Sequence, residues 1–148
     1  MTITDTTAPE LGQPSEIIVA SLGYYSDLNK LISLTGFDVV EGEIPASLIS
    51  ESKLLPGRHE VLWQVADSHD NSAQVSQSVV ILPQANLGGA YLAEIGSVVS
   101  IPVTLNAEAA DYPVLINIDV VGKNAAGVSF SLPAQDVVIN AGQRGNVD

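Results

Sequence analysis

"HEVLWQVADSHDNSAQVSQSVVIL", residues 59–82, decides how this chain is read. Its opening part alternates apolar and polar residues, with Val61, Trp63 and Val65 on one face. Its closing part alternates again, with Val75, Val79 and Ile81 on one face and Gln77 between them. A period of two marks a strand, because successive side chains point to opposite sides of a sheet. Between the two runs lies "VADSHDNSAQ" (65–74), with two serines, a histidine, two aspartates and an asparagine. That set admits a hairpin turn, a cation loop or a catalytic constellation. Ser, Asp and Asn favour turns because their side chains bond nearby backbone groups, and Asn and Asp tolerate positive φ. Two alternating runs around such a segment read as a hairpin, and the rest of the chain favours that turn.

The same period recurs outward. "SVVSIPVTL" (97–105) aligns Val99, Ile101, Val103 and Leu105. "YPVLINIDVV" (112–121) sets Val114, Ile116, Ile118 and Val120 against Leu115, Asn117, Asp119 and Val121. "QDVVINAG" (135–142) ends a further short strand. Gly or Pro punctuates at short intervals, as at Gly36, Gly42, Pro56-Gly57, Gly88-Gly89, Gly96 and Gly142. Many short strands with turns at such spacing predict β-sandwiches. Only "SDLNKLISL" (26–34) and "PASLISESKLL" (45–55) could be helical. Both are short enough to read as connections or single turns, with Ser26 or Asp27 as an N-cap of the first. A boundary falls in "ILPQANLGGA" (81–90): a strand ends at Leu82, Pro83 cannot donate to a ladder, and a polar, Gly-rich run follows. The expected architecture is all-β in two units, residues 1–84 and 85–148. The second is short against the ~100 residues of a typical sandwich, so its last strand is expected to be missing.

Composition limits the partners. Five basic and 17 acidic residues give a net charge of −12, which repels nucleic-acid phosphates and anionic lipid heads. Neither nucleic acid nor membrane insertion is expected, and no run reaches the roughly 18 apolar residues of a span. Hydrophobic residues make up 46%, enough to bury a core. The absence of cysteine excludes disulfides, thiolate zinc sites and cysteine nucleophiles. His59 and His69 show no zinc spacing. "MTITDTTAPE" lacks the basic and apolar regions of a signal peptide, and both ends read as boundaries inside a longer protein.

"DTTAPEL" (5–11), followed by "LLPGRHEVLWQVADSHDNSAQVSQSVVILP" (54–83), resembles a bacterial immunoglobulin-like repeat of the HYR or PKD type. Pro56, Gly57, Val61, Trp63, Asp67 and Asn71 stand at positions of that repeat's closing hairpin, with Asp70 in place of the usual glycine. Residues 94–147 are similar to Calx-β repeats. Glu94, Val99, Ile101, Val103, Tyr112, Pro113, Val114, Gly122, Gly127, Phe130, Ile139, Ala141 and Gly142 match, while Ser129 replaces one of the aspartates that such repeats use to bind calcium. The resemblance implies two tandem immunoglobulin-like β-sandwiches in a large extracellular or cell-surface bacterial protein. It implies a non-catalytic spacer and interaction segment, stalk-like or adhesin-like. The partners implied are neighbouring repeats and a surface carbohydrate or protein ligand. The alternative is a ligand-binding module for carbohydrate or calcium-dependent protein contact, which an exposed planar aromatic patch would support.

Individual residues carry sharper expectations. Asp67, Asp70 and Asn71 supply hard oxygen ligands of the kind calcium takes six to eight of, although their spacing is not that of an EF-hand. No cofactor is required otherwise. Ser68, His69 and Asp70 are consecutive at a hairpin tip, so their side chains diverge, and no G-x-S-x-G elbow exists; an enzyme is not expected. Asp5 reads as a solvated turn or, by the resemblance, as an interdomain calcium ligand. Trp63 reads as core rather than a sugar platform. Tyr24-Tyr25 reads as packing at a strand end or as an exposed contact pair. Asp38, Glu41 and Glu43 read as a solvated acidic face, and "LGG" (87–89) as a hinge or bulge.

Overall fold

A computed structural model describes residues 5–89, 99–123, 126–142 and 145–147. The chain divides into two compact units, Met1–Leu82 and Pro83–Asp148. Both are built from strands, and no α-helix occurs among the described residues.

The first unit contains β1 (Ile17–Ala20), β2 (Ser26–Asp27), β3 (Thr35–Asp38), β4 (Gly42–Pro45), β5 (Ser47–Leu48), β6 (Lys53–Leu54), β7 (Gly57–Ala66) and β8 (Ser72–Leu82). Its main sheet has the order β1-β8-β7-β5, and β3–β4 and β2–β6 form two small ladders. β7 and β8 pair antiparallel without interruption from Gly57↔Ile81 to Ala66↔Ser72. β1 runs parallel to β8, in the register Ile17↔Val79 to Ala20↔Leu82. The alternation is realised in β7, where Val61, Trp63 and Val65 are buried; in β8 Val79 and Ile81 are buried and Val75 is half-buried, but Val80 between them is buried as well. Gln77 interrupts that apolar face and is buried too. Its Oε1 accepts from the Trp63 indole at 2.9 Å and its Nε2 donates to the Ser15 carbonyl at 2.9 Å. A buried indole N–H needs an acceptor, and Gln77 is that acceptor. Gly36 lets β3 approach closely, since a Cβ there would lie 3.1 Å from both Val65 methyls and from the Glu10 carbonyl.

Residues 26–34 form β2 and then a single 3-10 turn, Leu28–Lys30, that buries Leu28 against the core. Asp27 caps the turn by accepting from the Asn29 N–H at 3.2 Å. Residues 45–55 differ from the expectation of a connection or single turn. β5 pairs with the free edge of β7, placing Leu48 opposite Trp63, and β6 pairs with β2. A helix this short is marginal in water, and an open strand edge offers the backbone a better set of partners.

The second unit contains β9 (Ala85–Leu87), β10 (Ile101–Leu105), β11 (Val114–Lys123), β12 (Ser129–Ile139) and β13 (Gly145–Val147). β13, β10 and β9 form one sheet, and β11 pairs with β12. Val103, Val137 and Ile139 are its buried centre, with Leu105, Val114, Ile116 and Ile118 packed around them. The short strand expected at 135–139 is the end of an 11-residue strand. Its register shifts between Ile118↔Gln135 and Val120↔Leu132, so Pro133 and Ala134 oppose Asp119. A bulge is where a strand tolerates a proline that cannot donate. In "LGG", Gly88 donates to the Pro102 carbonyl at 2.8 Å, and a Cβ on it would lie 2.6 Å from the Pro102 ring. Glu94 and Gly96 lie outside the described residues.

Candidate functional site at the hairpin tip

The tip joining β7 to β8 spans residues 67–71. The Asp67 N–H donates to the Asn71 carbonyl at 3.0 Å. Asp70 has φ 64°, the conformation that glycine takes freely and aspartate tolerates. Asp67 is 7% exposed. Its Oδ1 accepts from the His69 and Asn71 N–H groups, each at 2.8 Å, and its Oδ2 accepts from Asn71 Nδ2 at 2.7 Å. Burial acts to raise the Asp67 pKa. The hydrogen bonds from the Asn71 side chain, the Asn71 backbone and the His69 backbone, with attraction to His69, outweigh it. The group therefore titrates below its ordinary value of 3.8.

The β3–β4 turn abuts this tip. Asp38 is buried, not part of a solvated acidic face: its Oδ1 accepts from the Val40 and Glu41 N–H groups at 2.7 and 3.0 Å. That capping turns the chain and sends Glu41 toward the hairpin, where its Oε1 accepts from the Ser68 N–H at 3.0 Å and from the Ser68 hydroxyl. Ser68 Oγ lies 3.3 Å from His69 Nδ1, and Glu41 lies 4.0 Å from the same nitrogen. A nucleophile triad places its serine and its acid on opposite ring nitrogens. Here the carboxylate bonds the serine directly, and both groups sit on the Nδ1 side of an exposed ring.

Of the oxygen ligands read from sequence, Asp67 stands in a cluster with Asp5 and His69, and Asn71 bonds to it through the Asp67 side chain and the Asp5 carbonyl. Asp5, Asp67 and His69 each offer a ligand atom, all within 4.8 Å of one another. Asp5 is brought in by the leading segment, where Asn71 Nδ2 donates to the Asp5 carbonyl at 3.2 Å across 66 positions. One Asp5 oxygen accepts from the Thr7 N–H at 3.0 Å; the other is buried and has no hydrogen-bond partner. Two carboxylates and an imidazole form a borderline donor set, closer to zinc chemistry than to the all-oxygen shell of calcium.

The aromatic residues divide. Trp63 is buried, so it presents no platform. Tyr24 and Tyr25 are 63% and 57% exposed and pack edge to face, with centroids 4.9 Å apart. No family model, no curated protein and no solved structure matches the chain.

Proposed function

We propose that the chain is a non-catalytic, tension-bearing spacer and interaction segment of a large extracellular bacterial protein. In this reading it is two tandem immunoglobulin-like sandwiches, the first of HYR or PKD type and the second of Calx-β type. Its partners are neighbouring repeats of the same protein. The observation that carries the proposal is the parallel pairing of β1 with β8, the first and last strands of the leading unit. Tension enters before Ile17 and leaves after Leu82. In a parallel pair those points lie at opposite ends of the ladder, so the force acts along the strands. Four register pairs, Ile17↔Val79 to Ala20↔Leu82, then resist together, extended by the bond from the Ser21 N–H to the Leu82 carbonyl at 3.0 Å. An antiparallel terminal pair would open one bond at a time. The leading segment is held as well: Glu10 and Phe37 exchange backbone hydrogen bonds at 2.8 and 2.9 Å.

Single-molecule pulling of the chain within a polyprotein tests this reading. Forced unfolding reports an unfolding rate, which is where a sheared ladder acts. The expected record shows two discrete extensions, of at most roughly 295 Å and 240 Å at the reach of an extended chain. The longer belongs to the first unit and occurs at the higher force. In Ile17→Pro and Ile18→Pro, adjacent residues whose N–H groups point opposite ways, one variant loses a ladder donor and should lower that force. Smooth extension without force peaks would overturn the proposal.

A divalent cation at the hairpin tip is a second reading, favoured by the buried, unpaired Asp5 oxygen beside Asp67 and His69. Calcium is the ion read from Asp67, Asp70 and Asn71; the imidazole in the cluster makes zinc the sharper probe. An ion bound only by the folded state at a hundredfold excess over Kd stabilises by about 2.7 kcal/mol. Thermal melts with each ion and with chelator should show a rise of several degrees that Asp5→Ala abolishes. Equal midpoints in all conditions would leave the tip a turn.

A further inference from the structure

We propose that the loop at 21–25, with β6 and the start of β7, forms a shallow binding site for a neutral hexopyranose, a role separate from bearing tension. Tyr24 and Tyr25 are more than half exposed and adjacent, so they leave a paired aromatic surface that a ligand can cover. They are not on a loose loop. The Leu22 N–H donates to Oγ of the fully buried Ser26 at 3.0 Å, and Ser21 is held by the Leu82 carbonyl. Ser26 pairs with Leu54 in the β2–β6 ladder, which sets Tyr25 beside β6. The two rings stand perpendicular and form no planar patch, so the stacking face is that of Tyr25, with Tyr24 packed edge to face on it, and its ordering cost is met on folding rather than on binding.

Beside that face lies a cleft of about 300 Å³ lined by Tyr25, Glu51, Lys53, Leu54, Leu55 and His59. That is the small end of the range for ligand pockets and suits a single ring-sized ligand. Its polar groups are of both kinds. Glu51 can accept and Lys53 can donate, and neither side chain has an ion-pair or hydrogen-bond partner among the described residues. His59 Nε2 bonds the Leu55 carbonyl at 2.8 Å, which leaves Nδ1 as its second polar atom. A pyranose matches this combination: its C–H face packs on an aromatic ring, and its rim of hydroxyls both donates and accepts. The net charge of −12 disfavours acidic glycans. The perpendicular rings disfavour a polyproline helix, which lies in a groove between aromatic ridges. A cleft of about 450 Å³ in the second unit is a poorer candidate, because Tyr112 is the one aromatic among the described residues of its lining and its hydroxyl is tethered by the Ala109 N–H at 3.0 Å.

The test is a heteronuclear NMR titration of the full chain with methyl glucoside, methyl galactoside, methyl mannoside and N-acetylglucosamine. At least one should shift resonances of residues 22–25, 51–55 and 59, with a Kd on the order of a millimolar for so small a ligand. Tyr25→Ala should weaken binding at least tenfold and leave the thermal midpoint unchanged, since the ring is exposed. Tyr25→Phe should keep most of the affinity. Lys53→Met and Glu51→Gln should alter the preference among the sugars. Absence of shifts at 50-fold the expected Kd, or shifts that survive Tyr24→Ala and Tyr25→Ala alike, would overturn the proposal. So would a deca-proline peptide that moved the same resonances when no sugar did.

Discussion

Asp67 shows how one side chain can carry a turn. Both of its oxygens are taken by donors from the four residues that follow it, so the carboxylate stands in for the ladder bonds that the chain gives up when it reverses. Those bonds favour the ionised form, and the pKa lies below 3.8. The sign follows from linkage. A depressed folded pKa contributes stability that is present above the unfolded value and is lost as the pH falls through the folded one. The first unit should therefore lose thermal stability as the pH drops below about 4. In Asp67→Asn the Asp67 share of that slope disappears, and the midpoint at neutral pH falls by several degrees. The neutral amide is the weaker acceptor, and its NH₂ group would face donors. Melts of both proteins from pH 2 to pH 7, followed by Trp63 fluorescence, check this. Equal slopes in the acid range would show that other carboxylates carry the acid lability.

At the scale of elements, sequence pattern reached as far as local physics reaches. β7 and β8 were legible because alternation, turn chemistry and proximity in the chain all point the same way. The single turn at Leu28–Lys30 was legible through its cap. β5 and β6 were not, because their two-residue pairings depend on where β7 and β2 lie, and no local signal encodes that. β12 was read as short, whereas it runs from Ser129 to Ile139 through a register shift opposite Asp119 that breaks its alternation. Asp38 was read as solvated because charge alone does not reveal the two N–H groups that it caps. The candidate site was half legible for a related reason. Asp67 reads as an oxygen ligand and Asp5 as one only by resemblance, while His69 lacks a second imidazole at zinc spacing; the three meet only where the leading segment passes the tip. Residues brought together by tertiary contact leave no period in a sequence.

The whole molecule carries two cores, each made from residues of its own unit. Leu28, Ile32, Val61, Trp63, Val79 and Ile81 centre the first, and Val103, Val137 and Ile139 the second. Fewer buried apolar side chains among the described residues mean less surface removed from water, so the second unit is expected to melt first. Trp63, the single tryptophan of the chain, reports the first unit alone. Ile139 is 1% exposed, and Ile139→Val should cost about 1 kcal/mol, which in a unit of this size lowers the midpoint by about 4–8 °C. Far-ultraviolet circular dichroism should show the lower of two transitions move by that amount while the Trp63 transition stays in place. Val61→Ala should do the reverse. If Trp63 fluorescence followed the Ile139 change, the two units would unfold as one cooperative body, and pulling would give one extension in place of two.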